Sequence, residues 1–417
     1  MIKKFFSLTK NKDNRRLLTN FISLFSIKGV DFLIPLLIFP YLVRTLGIDI
    51  FGLLAFSTAF CVYFGAIIHY GYSISAVRDI SRVKSDEKAL GKLYSSLISV
   101  SFVLVFVCVI LILLLLIFVP SLKEYWLLHI CSFFHVVMFS LFPAWFFQGI
   151  EKMKFIAYIN LCTKILYILS LFLFVTGPED FILVPFLHGV FMTISVLASF
   201  IIIHFYLKIK FERPSIDELK GVLRRGKHSF IIQLTPTLYN STTTFIIGYT
   251  STNTIVGIYA SATKLIYALN SASIIIATTF LPYLSVNLNK HKMFSYIMWF
   301  IGVTVTLFAF IFSDTIILFF YGSENLIVST WFRALVPMVL FIFIRNTYGP
   351  NFLMLIDKEK TYKNIVLYTC LVFFALSIFI VPKYNIQGGV FIMLGTTSIM
   401  SCLTLYYYFK YRKINKI

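Results

Sequence analysis

The chain has 417 residues, of which 59% are hydrophobic and only 13% charged, with a formal net charge of +20. A soluble domain carries about 25% charged residues, so the composition excludes a soluble enzyme with a large core. The positive charge does not point to nucleic acid either, because the basic residues cluster between apolar runs, where membrane orientation accounts for them.

A basic N-terminus (Lys3, Lys4, Lys10, Lys12, Arg15, Arg16) leads into a first apolar run at 17–43. At ~1.5 Å per helical residue this run can cross a bilayer. It is too long for a signal peptide and carries no small-residue cleavage site. Lys28 and Asp31 stand three residues apart near its middle, so on a helix they share a face and can pair. Pro35 should kink the helix one turn further on. A charge at mid-bilayer costs at least ~2.5–3.5 kcal/mol and is kept where it faces protein or a watery cavity. A pair that only fixes packing is the alternative.

Eleven further runs follow at 51–73, 94–119, 126–149, 155–176, 181–206, 229–250, 255–286, 294–320, 326–355, 364–382 and 387–409. The connections alternate between a basic set, including 78–92, 208–227 and 358–363, and a short set with few basic residues, including 44–50, 120–125, 177–180 and 251–254. The basic set is cytoplasmic by the positive-inside rule, which places both termini inside. The longest connection, 207–228, contains Ser215-x-x-Glu218, a capping box, ahead of a short amphipathic helix suited to the interface. The expected architecture is an all-α polytopic membrane protein of twelve transmembrane helices. An N-terminal six-helix bundle (1–206) is joined by a cytoplasmic linker (207–228) to a C-terminal six-helix bundle (229–417). A short internal similarity aligns Gly52 with Gly257, as parallel repeats would.

Enzyme chemistry is not visible, and no cofactor or metal site is expected. Gly221-x-x-x-x-Gly226-Lys227 imitates a phosphate loop, but His228 follows where Ser or Thr is needed and no strand precedes it. The seven histidines lack metal spacing, and His69, His129, His135, His188 and His204 read as satisfied membrane residues. The six cysteines all lie in apolar runs and read as small hydrophobes. Movement of something across the membrane is what remains.

Five basic residues fall inside the runs: Lys28, Lys164, Lys264, Arg333 and Arg345. Asp31 is the one clear mid-membrane acid, and Asp314 lies towards the outer end of its run. Lys264 and Lys164 lie ~14 Å deep by helical rise, too deep to snorkel easily, whereas Arg345 can reach the cytoplasmic face. A cationic cavity suits an anionic cargo and repels a drug cation. Tyr41, Tyr70, Tyr72, Tyr239, Asn240, Tyr259 and Tyr267 are candidates for lining it and meeting sugars, or else for ordinary interfacial positions.

Four stretches stand together: Pro40 to Gly47 (PYLVRTLG), His69 to Ser81, Pro143 to Met153 (PAWFFQGIEKM) and Val256 to Leu265 (VGIYASATKL). The set resembles the bacterial O-antigen and polysaccharide flippases (Wzx type) of the multidrug/oligosaccharidyl-lipid/polysaccharide (MOP) exporter superfamily. The resemblance implies a V-shaped pair of bundles with alternating access. It implies a cargo of an oligosaccharide repeat unit on undecaprenyl diphosphate, moved to the periplasmic leaflet of the inner membrane. Lys264 and Arg44 match the family's own basic positions, whereas Lys28, Lys164 and Arg333 join the cationic cavity on burial alone. Without a nucleotide site an ion gradient, H+ or Na+, is the natural energy source, and Asp31 is the coupling candidate. Membrane lipids and polysaccharide polymerase or chain-length machinery are the expected partners. A multidrug or cation antiporter of the same superfamily, and a non-transporting scaffold of a glycan assembly complex, are the alternatives.

Overall fold

The computed structural model describes residues 34–414, apart from the side chains of Pro236, Tyr239, Asn240 and Ile414. Its regular structure is helical throughout these residues. In lipid every backbone N–H and C=O must be satisfied within the protein, and a helix does this within one segment. The main helices are α1 (Ile34–Leu46), α2 (Ile48–His69), α3 (Ser75–Val83), α4 (Glu87–Phe118), α5 (Trp126–Leu141), α6 (Ala144–Gly149), α7 (Lys154–Phe174), α8 (Leu183–Ile201) and α9 (Ile216–Thr250). They continue with α10 (Asn253–Val286), α11 (His291–Ile311), α12 (Ser313–Tyr321), α13 (Ile327–Leu335), α14 (Pro337–Tyr348) and α15 (Glu359–Ile414).

Among the described residues, nine helices are long and apolar enough to cross a membrane. Eight of them coincide with single predicted runs, and the ninth, Glu359–Lys413, covers the runs at both 364–382 and 387–409. It breaks at Asn385 (φ 47°, ψ −122°), three residues after Pro382, so two arms meet at a kink of recognisable cause. The run at 229–250 is helical within α9, but its middle, rich in Thr, Gln and Asn, is too polar to qualify by composition. Of the first run only 34–43 is described, within α1; Lys28 and Asp31 lie outside the described residues.

Helix boundaries follow from local chemistry. Asp86 caps α4 by accepting the Ala89 N–H at 3.0 Å, and Pro120 follows its last residues. The Ser215–Glu218 capping box forms as the sequence predicts: Ser215 Oγ accepts the Glu218 N–H at 3.3 Å, and Glu218 Oε2 accepts the Ser215 N–H at 2.9 Å. The helix it starts is not a short interfacial piece, however. It runs unbroken from Ile216 to Thr250. The false phosphate loop Gly221–Lys227 lies inside this helix.

The described residues form two compact units, one of 34–44 with 254–414 and one of 45–253. These limits cut the chain elsewhere than at 207–228, since α9 packs along α2. There a Cβ on Gly248 would meet the Phe56 ring at 2.2 Å, and Phe56 in turn stacks on Phe245. In the 45–253 unit a core gathers Trp145, Phe146 and Phe147 against Tyr72, Tyr94 and Ile80. In the other unit Tyr348, Phe352 and Tyr408 pack around His291. Phe102, Phe106, Ile110 and Phe118 of α4 stay exposed, as a lipid-facing side requires. Gly52 and Gly257 are each the fifth residue of their helices and buried, the register that the internal similarity implies.

Candidate functional site

In the unit of 34–44 and 254–414, the opening of α10 is packed on nearly every side. Val256 to Thr263, Leu265 and Ile266 are all buried. Lys264 is the exception, half-buried, with its Nζ 4.6 Å from the centre of the Phe39 ring of α1. A cation over a desolvated aromatic face is attracted by the ring quadrupole, so Phe39 positions the ammonium without neutralising it. One turn earlier the Ser261 carbonyl accepts the Tyr321 hydroxyl at 3.0 Å, which fixes this part of α10 against α12.

The same unit holds two further predicted cations, each tied to α12. Arg44 is exposed. Its Nε donates to the Phe320 carbonyl at 2.9 Å, and its Nη2 donates to the carbonyls of Phe319 and Leu318. A guanidinium on the last carbonyls of a helix meets the negative end of its dipole. Arg333 donates to Ser313 Oγ at 2.7 Å and to Asp314 Oδ2 at 2.8 Å. Arg333 and Asp314 thus form an ion pair at the start of α12.

Lys164, on α7 of the 45–253 unit, is half-buried and lies within electrostatic reach of His188 on α8. At the basic end of that unit Asp79 accepts from both Arg78 (3.0 Å) and Arg225 (3.2 Å), while Lys84 pairs with Glu151 at 2.7 Å. Lys92 pairs with Glu218. A cavity of about 540 Å³ between the starts of α4 and α9 is lined by Lys92, Ser96, Ser215, Glu218 and Arg225. Its two cations are engaged, Lys92 with Glu218 and Arg225 with Asp79, so it is a poor seat for a strong anion.

Of the predicted aromatic lining, Tyr72 and Tyr259 are buried core residues, each 1% exposed. Tyr72 donates to the Leu97 carbonyl at 3.3 Å and meets Trp145 edge-on. Tyr41, Tyr70 and Tyr267 are half-buried, and the side chains of Tyr239 and Asn240 are not described. The sequence reads His135 and His188 as satisfied membrane residues, yet their rings stack with centroids 3.7 Å apart and His135 Nε2 is buried without a hydrogen-bond partner. They stand in different runs with no shared spacing, so only the packing of α5 on α8 reveals the pair.

The fold defines an all-helical, multi-pass membrane protein, and the relatives it resembles are transporters. Residues 17–288 match the polysaccharide biosynthesis protein family, and the chain belongs to it. It is 24% identical over 409 residues (95% of this chain, 97% of the relative) to a protein of Escherichia coli (strain K12) described as "Putative O-antigen transporter". It is 28% identical over 271 residues (64% of this chain, 67% of the relative) to a Shigella dysenteriae protein described in the same words. Among solved structures, a lipid II flippase in an inward-closed conformation is similar with a TM-score of 0.73 at 17% identity, covering 92% of this chain and 87% of that one. An inward-facing multidrug-resistance MATE transporter of the MOP superfamily is similar with a TM-score of 0.65 at 14% identity, covering 95% and 99%. The resemblance carried by the Pro40, His69, Trp145 and Val256 stretches is borne out.

Proposed function

We propose that this protein is a flippase. It moves an O-antigen or polysaccharide repeat unit, linked to undecaprenyl diphosphate, from the cytoplasmic to the periplasmic leaflet of the inner membrane. The observation that carries this reading is Lys264, a half-buried ammonium held over Phe39 in an otherwise buried stretch at the opening of α10. A diphosphate recovers in charged hydrogen bonds what such a cation loses by burial. The descriptions of the Escherichia coli and Shigella dysenteriae relatives support the same cargo class. Lys28, Lys164, Arg44 and Arg333 complete the proposed cationic path, Arg44 and Arg333 by exchanging their present partners for cargo.

The spans of 1–206 and 229–417, joined by 207–228, are the proposed transport halves, with both termini cytoplasmic. An H+ or Na+ gradient supplies the energy through Asp31. Binding a diphosphate at Lys28 would release Asp31 to take up a proton, as linkage requires. Polysaccharide polymerase or chain-length machinery would receive the exported unit. The MATE-like fold gives multidrug or cation antiport as the second reading.

Proteoliposomes holding the purified protein separate these readings. Under an imposed pH or Na+ gradient, the flippase reading expects a fluorescent undecaprenyl-diphosphate oligosaccharide to change leaflets while ethidium is not accumulated. Ethidium transport without oligosaccharide movement would establish the antiporter instead. Movement of neither would favour the non-transporting scaffold.

A further inference from the structure

Three basic stretches of the chain meet at one end of the unit of 34–44 and 254–414. Lys358, just before α15, has its Nζ 5.3 Å from the centre of the Tyr411 ring near the other end of that helix. Tyr411 stacks on Tyr407 at 5.9 Å, and Lys410 Nζ lies 5.8 Å from the Tyr407 ring centre. Thr361 Oγ1 is 3.5 Å from the Tyr411 hydroxyl. His291, the first residue of α11, packs on Tyr408 at 5.4 Å, which brings Lys290 and Lys292 to the same end. Tyr407 and Tyr411 themselves pack against the core of Tyr348, Phe352 and Tyr408, so the rings that seat the lysines are fixed in place.

The charge at this end is not cancelled. The stretches 290–292, 358–363 and 410–413 carry two, three and three basic residues against one acid, Glu359. Among the described residues no ion pair joins Lys292, Lys358 or Lys410 to a carboxylate. The 45–253 unit differs: there Arg78 and Arg225 share Asp79, Lys84 meets Glu151 and Lys92 meets Glu218. An aromatic face attracts a cation without neutralising it. Lys358 and Lys410 are thus positioned by rings and keep their charge for another partner.

The last turns of α15 indicate which partner. Tyr406, Phe409, Lys410 and Lys413 follow at i, i+3, i+4 and i+7, so they share one stripe of the helix, and all four are exposed. The stripe is apolar first and basic at its end. A water-soluble anion would meet only the lysines and leave Tyr406 and Phe409, 60% and 52% exposed, uncovered. A phospholipid matches both parts, since aromatic residues sit at the headgroup level and basic residues beside it attract anionic lipid. We propose that this end of the unit is a binding site for an anionic phospholipid. Lys358, Lys410 and Lys413 take its phosphate, and its acyl chains lie along Tyr406 and Phe409. The inference needs only a membrane-embedded chain and does not rest on the flippase reading.

Native mass spectrometry of the full chain, released from nanodiscs of equal parts phosphatidylglycerol and phosphatidylcholine, tests this. The wild-type protein should retain phosphatidylglycerol in preference. Lys358→Gln with Lys410→Gln should lower that preference, by about fivefold for each lysine. Lys358→Arg with Lys410→Arg keeps both charges and should keep the preference. Lys220→Gln with Lys227→Gln removes two exposed cations from α9 instead and should leave it unchanged. Equal retention of the two lipids by the wild type would overturn the site. So would a wild-type preference in the Lys358→Gln, Lys410→Gln protein, or an equal loss in the α9 variant, which would mean diffuse attraction. Displacement of the retained lipid by an equal concentration of inorganic phosphate would assign the lysines to a soluble anion and overturn the lipid site.

Discussion

Arg44 and Phe320, 276 residues apart, are joined by a 2.9 Å hydrogen bond from Nε to the backbone carbonyl. The same guanidinium reaches the two preceding carbonyls, so the end of α1 caps the end of α12. Lysine is a point charge and cannot span three carbonyls in this way. Arg44→Ala should lower stability by about 0.3–1 kcal/mol, the usual size of a cation at a helix C-terminus, and Arg44→Lys should recover only part of it. Thermal unfolding of purified protein checks this; an unchanged midpoint in Arg44→Ala would show that the cap contributes nothing.

Arg333 and Asp314 should behave as one unit. Their side chains are 39% and 61% exposed, so the coupling should be small, about 0.2–1 kcal/mol. A double-mutant cycle with Arg333→Gln and Asp314→Asn should give the pair of changes nearly the effect of either alone. Additive effects would separate the two residues.

How much of this was legible in the sequence depends on how far apart the interacting residues lie. Apolar runs placed nearly every described membrane helix, because hydropathy and the need to satisfy the backbone act locally. The capping box at Ser215 was legible for the same reason. The joining of the helix after Ser215 to the run at 229–250 was not, since the basic turns between them read as the end of a short interfacial piece. The roles of Arg44 and Arg333 were also hidden. Both read as cavity cations, yet their acceptors lie on α12, and no pattern along the chain couples them. The Trp145 stretch marked the family correctly, while Trp145, Phe146 and Phe147 themselves serve the core.

Gly71 joins α2 to α3 at φ +72°, and a Cβ there would sit 2.4 Å from backbone atoms of Ser229 and Phe230 in α9. Backbone on a continuous helix cannot retreat as a side chain tip can. Gly71→Ala should therefore strain the turn and part α9 from it, costing about 1–3 kcal/mol. Reduced membrane accumulation and a lower unfolding temperature are the expected readouts, with wild-type values in both contradicting the close packing.

The start of α9 should loosen in acid. Lys92 beside Glu218, together with the Ser215 N–H, holds the Glu218 carboxyl below its ordinary range. A depressed carboxyl stabilises fully above its unfolded-state pKa and loses that contribution as pH falls through the folded one. Amide protection over 216–222 should be high at pH 7 and fall below the ordinary carboxylate range. Glu218→Gln should show the reduced protection already at neutral pH. Equal protection in both proteins at pH 7 would mean that the ion pair and the capping box do not hold this end.

The central claim is that the half-buried Lys264 on α10 receives an anionic lipid-linked glycan. Its most direct test is surface polysaccharide in cells whose only copy of this protein carries Lys264→Ala, Lys264→Arg or the wild-type residue, with membrane levels matched. Losing a charged contact of about 1.5–3 kcal/mol corresponds to tenfold or more in binding. Lys264→Ala should therefore lose most surface polysaccharide, and Lys264→Arg should keep part of it. Normal export by Lys264→Ala at wild-type protein levels would contradict the account.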